Sequence, residues 1–341
     1  MQELIGKIVK YDVMNNVGLV IIKANTPILQ EHLDLAKRHR INTTDIILDN
    51  GIVFATSSSN PMSPINLMTR HVVDQSIRLF RSIEFNKEIP VAEIEKTILP
   101  TVQKISNDAN IFNLFEAVRA KDDYTHQHNI GVAVLATLLG KWLKISGDDL
   151  ATLSLAAILH DVGKVKIPVD LLNKVEKLTV EEYKIIQQHT VLGYQMLRET
   201  PELTHQIASV ALQHHEKENG SGYPLGLKGN KIDLFSKIVT VADIFHAMSS
   251  KRPYHDPIPF HSIVKQMKEG IFGELEPQIV SVFLRNITRK LVGTQVVLMD
   301  GRIGEIVYIN PHDELKPMVK INDLFIDLSK ERHLHIKEIV C

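Results

Sequence analysis

The chain has 341 residues, a formal net charge of −1 and one cysteine, the terminal Cys341. That length holds two or three domains and a core that needs neither disulfides nor structural metal, while the balanced charge excludes bulk attraction to duplex nucleic acid or an anionic membrane. A lone cysteine excludes an internal disulfide; no apolar run reaches the roughly 18 residues of a spanning helix, and MQELIGKIVKYDVMNN is unlike a leader, so a cytoplasmic protein without a membrane span is expected.

In chain order, strand-like runs at 18–23, 45–48 and 51–55 accompany one helical stretch at 27–40, with turn signals at Asn15-Asn16 and Asp49-Asn50-Gly51. Residues 1–60 are therefore expected to form a small α+β regulatory or sensory module. The run Lys37-Arg38-His39-Arg40 reads as a solvated helix end. Ser57 to Pro64 (SSSNPMSP) combines small polar residues with two prolines and reads as a linker. Helical patterns follow at 68–83 and 91–105, where Pro100 should kink or split the second; residues 61–109 are assigned as linker and connecting helices. Helical periodicity continues to about residue 291. Alternating runs at 294–298 and 305–309, joined across Asp300-Gly301, then predict a hairpin, and further runs at 318–321 and 324–328 complete a small β domain over 291–341. The expected fold class is multidomain and mainly α, with an all-helical bundle over 110–290.

Polar residues recur on the apolar faces of that bundle's helices. His128 is in phase with Val132, Leu135, Leu139 and Leu143. Ser146 and Asp149 have capping-box spacing for the next helix, in which Leu153, Ala157 and His160 share a face before Gly163 offers a stop. Thr179 and Glu182 form a second such pair, and His189 shares a face with Ile185, Leu192 and Met196. Thr200 is expected to cap the following helix with Pro201 in its first turn, and Ile207, Val210, Ala211, His214 and His215 to form its inward sector. Asp243 lies one turn from both Val239 and Ala247, among residues that would exclude an unpaired charge.

One inward histidine is ordinarily a hydrogen-bonded core residue. Repetition over five helices, joined to the adjacent His160-Asp161 pair, points instead to bound metal. With imidazoles and carboxylates but no thiolate, the donors suit iron or manganese and, less distinctively, zinc. Asp161 has two oxygens with which to bridge two cations, and bridged metals about 3.5–4 Å apart hold a hydroxide and orient a phosphate for in-line displacement. Lys164, one turn on, reads as a phosphate-oxygen clamp, with a salt bridge to Asp161 as the alternative. NGSGYP (219–224) reads as a tight loop in which Tyr223 offers a face for base stacking.

At these residues the sequence resembles the HD-GYP family, the branch of the HD metal-dependent phosphohydrolases that degrades cyclic di-GMP. The resemblance runs through DDYTHQH (122–128), HDVGK (160–164), HHEKENGSGYP (214–224) and VADIFHAMSSKRPY (241–254), within residues 110–290. It implies an HD-type catalytic bundle with two divalent metal ions, iron or manganese, held by His128, His160, Asp161, His189, His214, His215 and Asp243. Asp161 would bridge them and act in catalysis with Lys164. Lys164, Gly222, Tyr223, Pro224 and Arg252 would contact the cyclic di-GMP substrate, which metal-bridged hydroxide would open to linear pGpG. Two departures bear on this. Tyr124 stands where some members carry a glutamate that binds a third metal, which favours two metals and pGpG over rapid conversion to GMP. His246 replaces the usual aspartate and is expected in the outer shell of Asp243. The resemblance also admits a catalytically weak cyclic di-GMP receptor that signals through a protein partner, a hydrolase of another cyclic dinucleotide, and a homodimeric assembly.

Overall fold

The structure, a computed structural model, describes residues 7–9, 13–14, 20–22, 26, 28–38, 48–49, 64–107, 124–174, 176–249, 260–270, 273–310, 313–331 and 333–340. The chain divides into two compact units, Met1–Pro61 and Met62–Cys341. This boundary falls within the linker expected at 57–64, although 57–63 lie outside the described residues.

In the first unit β1 (Ile8–Val9) pairs antiparallel with β4 (Leu48–Asp49), and β2 (Val13–Met14) with β3 (Val20–Ile22). The helix α1 (Gln30–Arg38) contributes Leu33 to a small cluster with Val9, Val13, Ile22 and Ile28. The α+β texture is as expected, and β1 and β2 lie outside the predicted runs, because two-residue strands are too short to display a period of two. The predicted run 51–55 and residues 39–40 of the basic cluster lie outside the described residues.

The second unit begins with α2 (Pro64–Asn86), then α3 (Val91–Glu93), a π-helical turn (Ile94–Ile98) and α4 (Leu99–Ile105). The widened turn directly precedes Pro100, which has no N–H to return to the Lys96 carbonyl, so the predicted interruption takes the form of a π turn. Buried Ile83, Ile98 and Val102 join one apolar core with residues of the following helices, so the connecting helices are part of the bundle. Those helices are α5 (Tyr124–Trp142), α6 (Gly147–Leu159), α7 (Val169–Leu172), α8 (Val180–Gln187), α9 (His189–Arg198), α10 (His205–Gln213), α11 (Leu234–Ser249), α12 (Phe260–Gly270) and α13 (Pro277–Arg289). A short 3-10 turn, Val162–Lys166, follows α6. Ile130, Val132, Ala133, Val134, Leu135 and Ala136 are all buried, which marks α5 as the central helix, apolar all round. Among the described residues, no helix is long and apolar enough to cross a membrane.

The helix ends depart from expectation in two places. Ser146 occupies the N-cap of α6 without a side-chain cap, while Thr179 and Glu182 complete the capping box of α8. Thr200 does not cap α10: its hydroxyl donates to the Met196 carbonyl at 3.0 Å, and Thr204 is the cap, accepting from Ile207 N at 3.4 Å. Back-bonding turns the Thr200 hydroxyl onto the last turn of α9 and leaves the second threonine to start the next helix.

The chain closes in an antiparallel five-stranded sheet ordered β8-β7-β6-β5-β9. The strands are β5 (Gln295–Leu298), β6 (Ile303–Asn310), β7 (Asp313–Ile321), β8 (Leu324–Asp327) and β9 (Ile336–Val340). Gly301 takes φ +86° in the predicted turn between β5 and β6. The sheet has its own cluster around Val296, Leu298, Ile306 and Val319, and an ion pair, Lys268 to Glu314 at 2.5 Å, links it to α12.

Candidate metal centre

Helix ends carry most of the predicted ligands to one point. His160 is the C-cap of α6 and Asp161 the residue after it; His189 opens α9; His214 is the C-cap of α10, followed by half-buried His215; His128 and Asp243 come from within α5 and α11. The turn after α6 reaches α9 because both segments carry glycine at the crossing, Gly163 and Gly193. A Cβ on Gly163 would lie 2.5 Å from Gly193 N and collide with the His189 carbonyl, so only glycine lets Asp161 approach His189.

Asp161 stands between two sets of imidazoles. Its Oδ1 faces His189 Nε2 at 3.3 Å and His214 Nε2 at 3.7 Å; its Oδ2 faces His160 Nε2 at 3.4 Å and His128 Nε2 at 3.9 Å. Asp243 Oδ1 lies 3.0 Å from His128 Nε2. Two groups able to hold a cation result, Asp161-His189-His214-His215 and His128-His160-Asp243, with the donor atoms of each within 4.8 Å of one another.

The histidine tautomers fit this purpose. His160 Nδ1 meets the Ala157 carbonyl at 2.8 Å, His189 Nδ1 the Ile186 carbonyl at 2.6 Å, and His214 Nδ1 the Ala211 carbonyl at 3.0 Å. A carbonyl only accepts, so in each ring the proton sits on Nδ1 and the Nε2 lone pair points at the cluster. His160 Nε2 and Asp161 Oδ1 are buried with no hydrogen-bond partner among the described residues, a costly arrangement that a cation would relieve. Burial lowers His160 to about 4 and His189 to about 3, against the pull of Asp161, so both rings are neutral, as ligands must be. Burial would raise Asp161 and Asp243, but Lys164 and the histidines around the first, and His128 beside the second, outweigh it and hold both carboxyls well below the usual range.

Lys164 pairs with Asp161 Oδ2 and remains partly exposed at the edge of the cluster, so the salt bridge read as an alternative is formed. The loop after α10 is tied down by Glu216, buried to 2 % exposure, whose carboxylate accepts from Leu225 N at 2.7 Å and Leu227 N at 2.9 Å. Gly222 passes so close to the backbone of 215–217 that a Cβ would lie 2.5 Å from it. Tyr223 stacks on His215 with centroids 4.7 Å apart and meets Tyr183 edge-on at 6.3 Å. One face of Tyr223, expected to be open to a base, is thus taken by a candidate ligand.

Other expectations need adjustment. Ile185, predicted to share the inward face of His189, is 39 % exposed, because the helix breaks at Gln188 and the phase restarts; the buried line from His189 runs through Gly193 and Leu197. His246 is buried against His128, Nδ1 to Nδ1 at 3.0 Å, while His128 Nε2 faces Asp243. Pro224 follows Tyr223 in the loop, while Arg252 and the side chain of Tyr124 lie outside the described residues. Sequence reasoning missed the anchoring role of Glu216; its only signal was an acid directly after two histidines, in a segment without apolar periodicity.

Residues 110–270 match the family model described as an HD domain. The chain is 28 % identical over 245 residues, 72 % of its length, to a cyclic di-GMP phosphodiesterase of Pseudomonas aeruginosa, and covers 59 % of that protein. It is 38 % identical over 162 residues, 47 % of its length, to 3'3'-cGAMP-specific phosphodiesterase 3 of Vibrio cholerae, and covers 35 % of it. It therefore spans less than two thirds of either relative. An HDG"Y"P protein from Bdellovibrio bacteriovorus shares its fold, with a TM-score of 0.52 at 16 % identity over 82 % of this chain and 95 % of that one.

Proposed function

We propose that the chain belongs to the HD-GYP branch of the HD-domain family, on the match of residues 110–270 to the HD-domain model and the motifs HDVGK and HHEKENGSGYP, and that it is a metal-dependent phosphodiesterase that opens cyclic di-GMP to linear pGpG. The observation that carries this reading is the division of Asp161 between two histidine sets, one carboxylate oxygen toward each. His189, His214 and His215 would hold one cation and His128, His160 and Asp243 the other, with Asp161 shared. Donors of nitrogen and oxygen without sulfur suit iron or manganese. Two such cations supply Lewis acidity and a water of lowered pKa.

The protein's own groups supply the rest. Lys164 directs its ammonium to the Asp161 edge of the cluster, where it would stabilise charge on a phosphate oxygen. Glu216 fixes the 222–227 loop so that Gly222, Tyr223 and Pro224 close one side of the substrate, and Arg252 would reach its phosphate or guanine edge. The first unit and the terminal sheet would regulate or localise the activity. A second substrate, 3'3'-cGAMP, is favoured by the likeness to a Vibrio cholerae enzyme of that specificity.

The test is anaerobic purification with metal analysis, then incubation of the full chain with cyclic di-GMP or 3'3'-cGAMP and manganese or ferrous iron. Linear pGpG is the expected product. Binding of cyclic di-GMP without any linear product under either metal would replace the enzyme by a receptor, and faster cleavage of 3'3'-cGAMP would reassign the substrate.

A further inference from the structure

We propose that His246 is a positioning residue that sets the tautomer of His128 and so governs how tightly the His128-His160-Asp243 side of the centre holds its metal. The inference rests on the two-metal reading above. Asp243 and His246 are three residues apart on α11, hence on one helical face, and both are buried. Together they grip the His128 imidazole at its two nitrogens: Asp243 Oδ1 lies 3.0 Å from Nε2, and His246 Nδ1 lies 3.0 Å from Nδ1.

A 3.0 Å contact between two ring nitrogens needs one proton between them. For His128 to ligate through Nε2, that proton must belong to its own Nδ1, so His246 accepts through Nδ1 and carries its proton on Nε2. In the opposite arrangement both contacts are hydrogen bonds: His128 donates from Nε2 to Asp243, its Nδ1 is bare, and His246 donates to it. Histidine at 246 serves both arrangements. An ionised carboxylate at that position, having no proton to give, would serve only the metal-binding one.

His128 therefore differs from His160, His189 and His214, whose Nδ1 atoms are each held by a backbone carbonyl that cannot donate. Their lone pairs are fixed toward the centre, whereas that of His128 is set by a partner able to reverse its role. A carboxylate acceptor would also make the imidazole a stronger donor than a neutral ring does. The structure thus assigns this chain a metal side that is easier to empty than one backed by an acid.

The test is Mn2+ titration of the metal-stripped full chain, comparing the parent with His246→Leu, His246→Gln and His246→Asp. Leucine fills space without accepting, and is expected to weaken one of two Mn2+ sites by about 10–100-fold. Glutamine accepts or donates and should stay close to the parent, and aspartate should bind that Mn2+ more tightly than the parent. Leucine and glutamine variants of equal affinity would overturn the proposal, as would an aspartate variant that binds more weakly than the parent. A parent chain that takes up fewer than two Mn2+ would bring down the two-metal reading itself, and the inference with it.

Discussion

Replacing Gly163 by alanine tests how closely the centre depends on one backbone crossing. The added Cβ would lie 2.5 Å from Gly193 N and 2.9 Å from His189 C, and ordinary contact begins at 3.4 Å. The turn and α9 must therefore separate by at least about 1 Å, more at the His189 carbonyl oxygen, and because the obstacles are backbone atoms no rotamer change relieves them. That separation opens the 3.3 Å approach of Asp161 Oδ1 to His189 Nε2. Overpacking of this kind costs about 1–3 kcal/mol, and a displacement near 1 Å in a catalytic constellation costs about 10²-fold in rate. The His128-His160-Asp243 side takes no ligand from α9 and should keep its metal. Gly193→Ala is the control, since a Cβ there meets Gly163 N at 3.2 Å and Ala211 Cβ at 3.4 Å, a far milder crowding. Urea denaturation, metal content and kcat should rank parent, Gly193→Ala and Gly163→Ala in that order. A Gly163→Ala protein no worse than Gly193→Ala would refute the argument.

Glu216→Gln places an amide NH2 against one of the loop N–H groups at Leu225 or Leu227, so a loss of about 1–3 kcal/mol in urea denaturation is expected. KM should rise with it as the loop loosens. Lys164→Met should lower kcat by about 10²-fold or more while metal analysis still finds two ions, because the ammonium acts on phosphate charge and is not a ligand. Metal-free protein should lose stability on acidification: unfolded histidines take protons near pH 6.5, but His160 does so only near 4 and His189 near 3 when folded. Between those values the unfolded state binds more protons, so stability falls as pH drops from about 6.5 towards 3. The depressed carboxyls of Asp161 and Asp243 extend the loss further into acid. A urea midpoint as high at pH 5 as at pH 7 would contradict this.

Local patterns made much of the fold legible. The Thr179-Glu182 box and the Asp300-Gly301 turn are decided by a few neighbouring residues, and both form. Thr200 and Thr204 present similar local signals four residues apart, and the choice between them depends on the turn that ends α9, which neighbouring sequence does not specify. β9 lies outside the predicted runs because its pairing partner, β5, is at the other end of the β domain and no hairpin turn marks it. The candidate ligands were legible as a set because polar residues on apolar faces are costly without a partner. For His128 the phase carries little information, since residues 128–137 of α5 are all buried and each of them points into protein. Which histidines gather on which oxygen of Asp161 follows from how α6, α9 and α10 pack end to end, and periodicity carries no trace of it. The same holds for the His128-His246 contact, formed between residues 118 positions apart.

The most direct test of the shared carboxylate is the metal-to-protein ratio of Asp161→Ala beside His189→Ala and the parent, each loaded with Mn2+ and freed of excess metal. The account predicts two ions in the parent, one retained in His189→Ala, and neither held in Asp161→Ala, because its two oxygens face both histidine sets. Two ions retained in Asp161→Ala would contradict it.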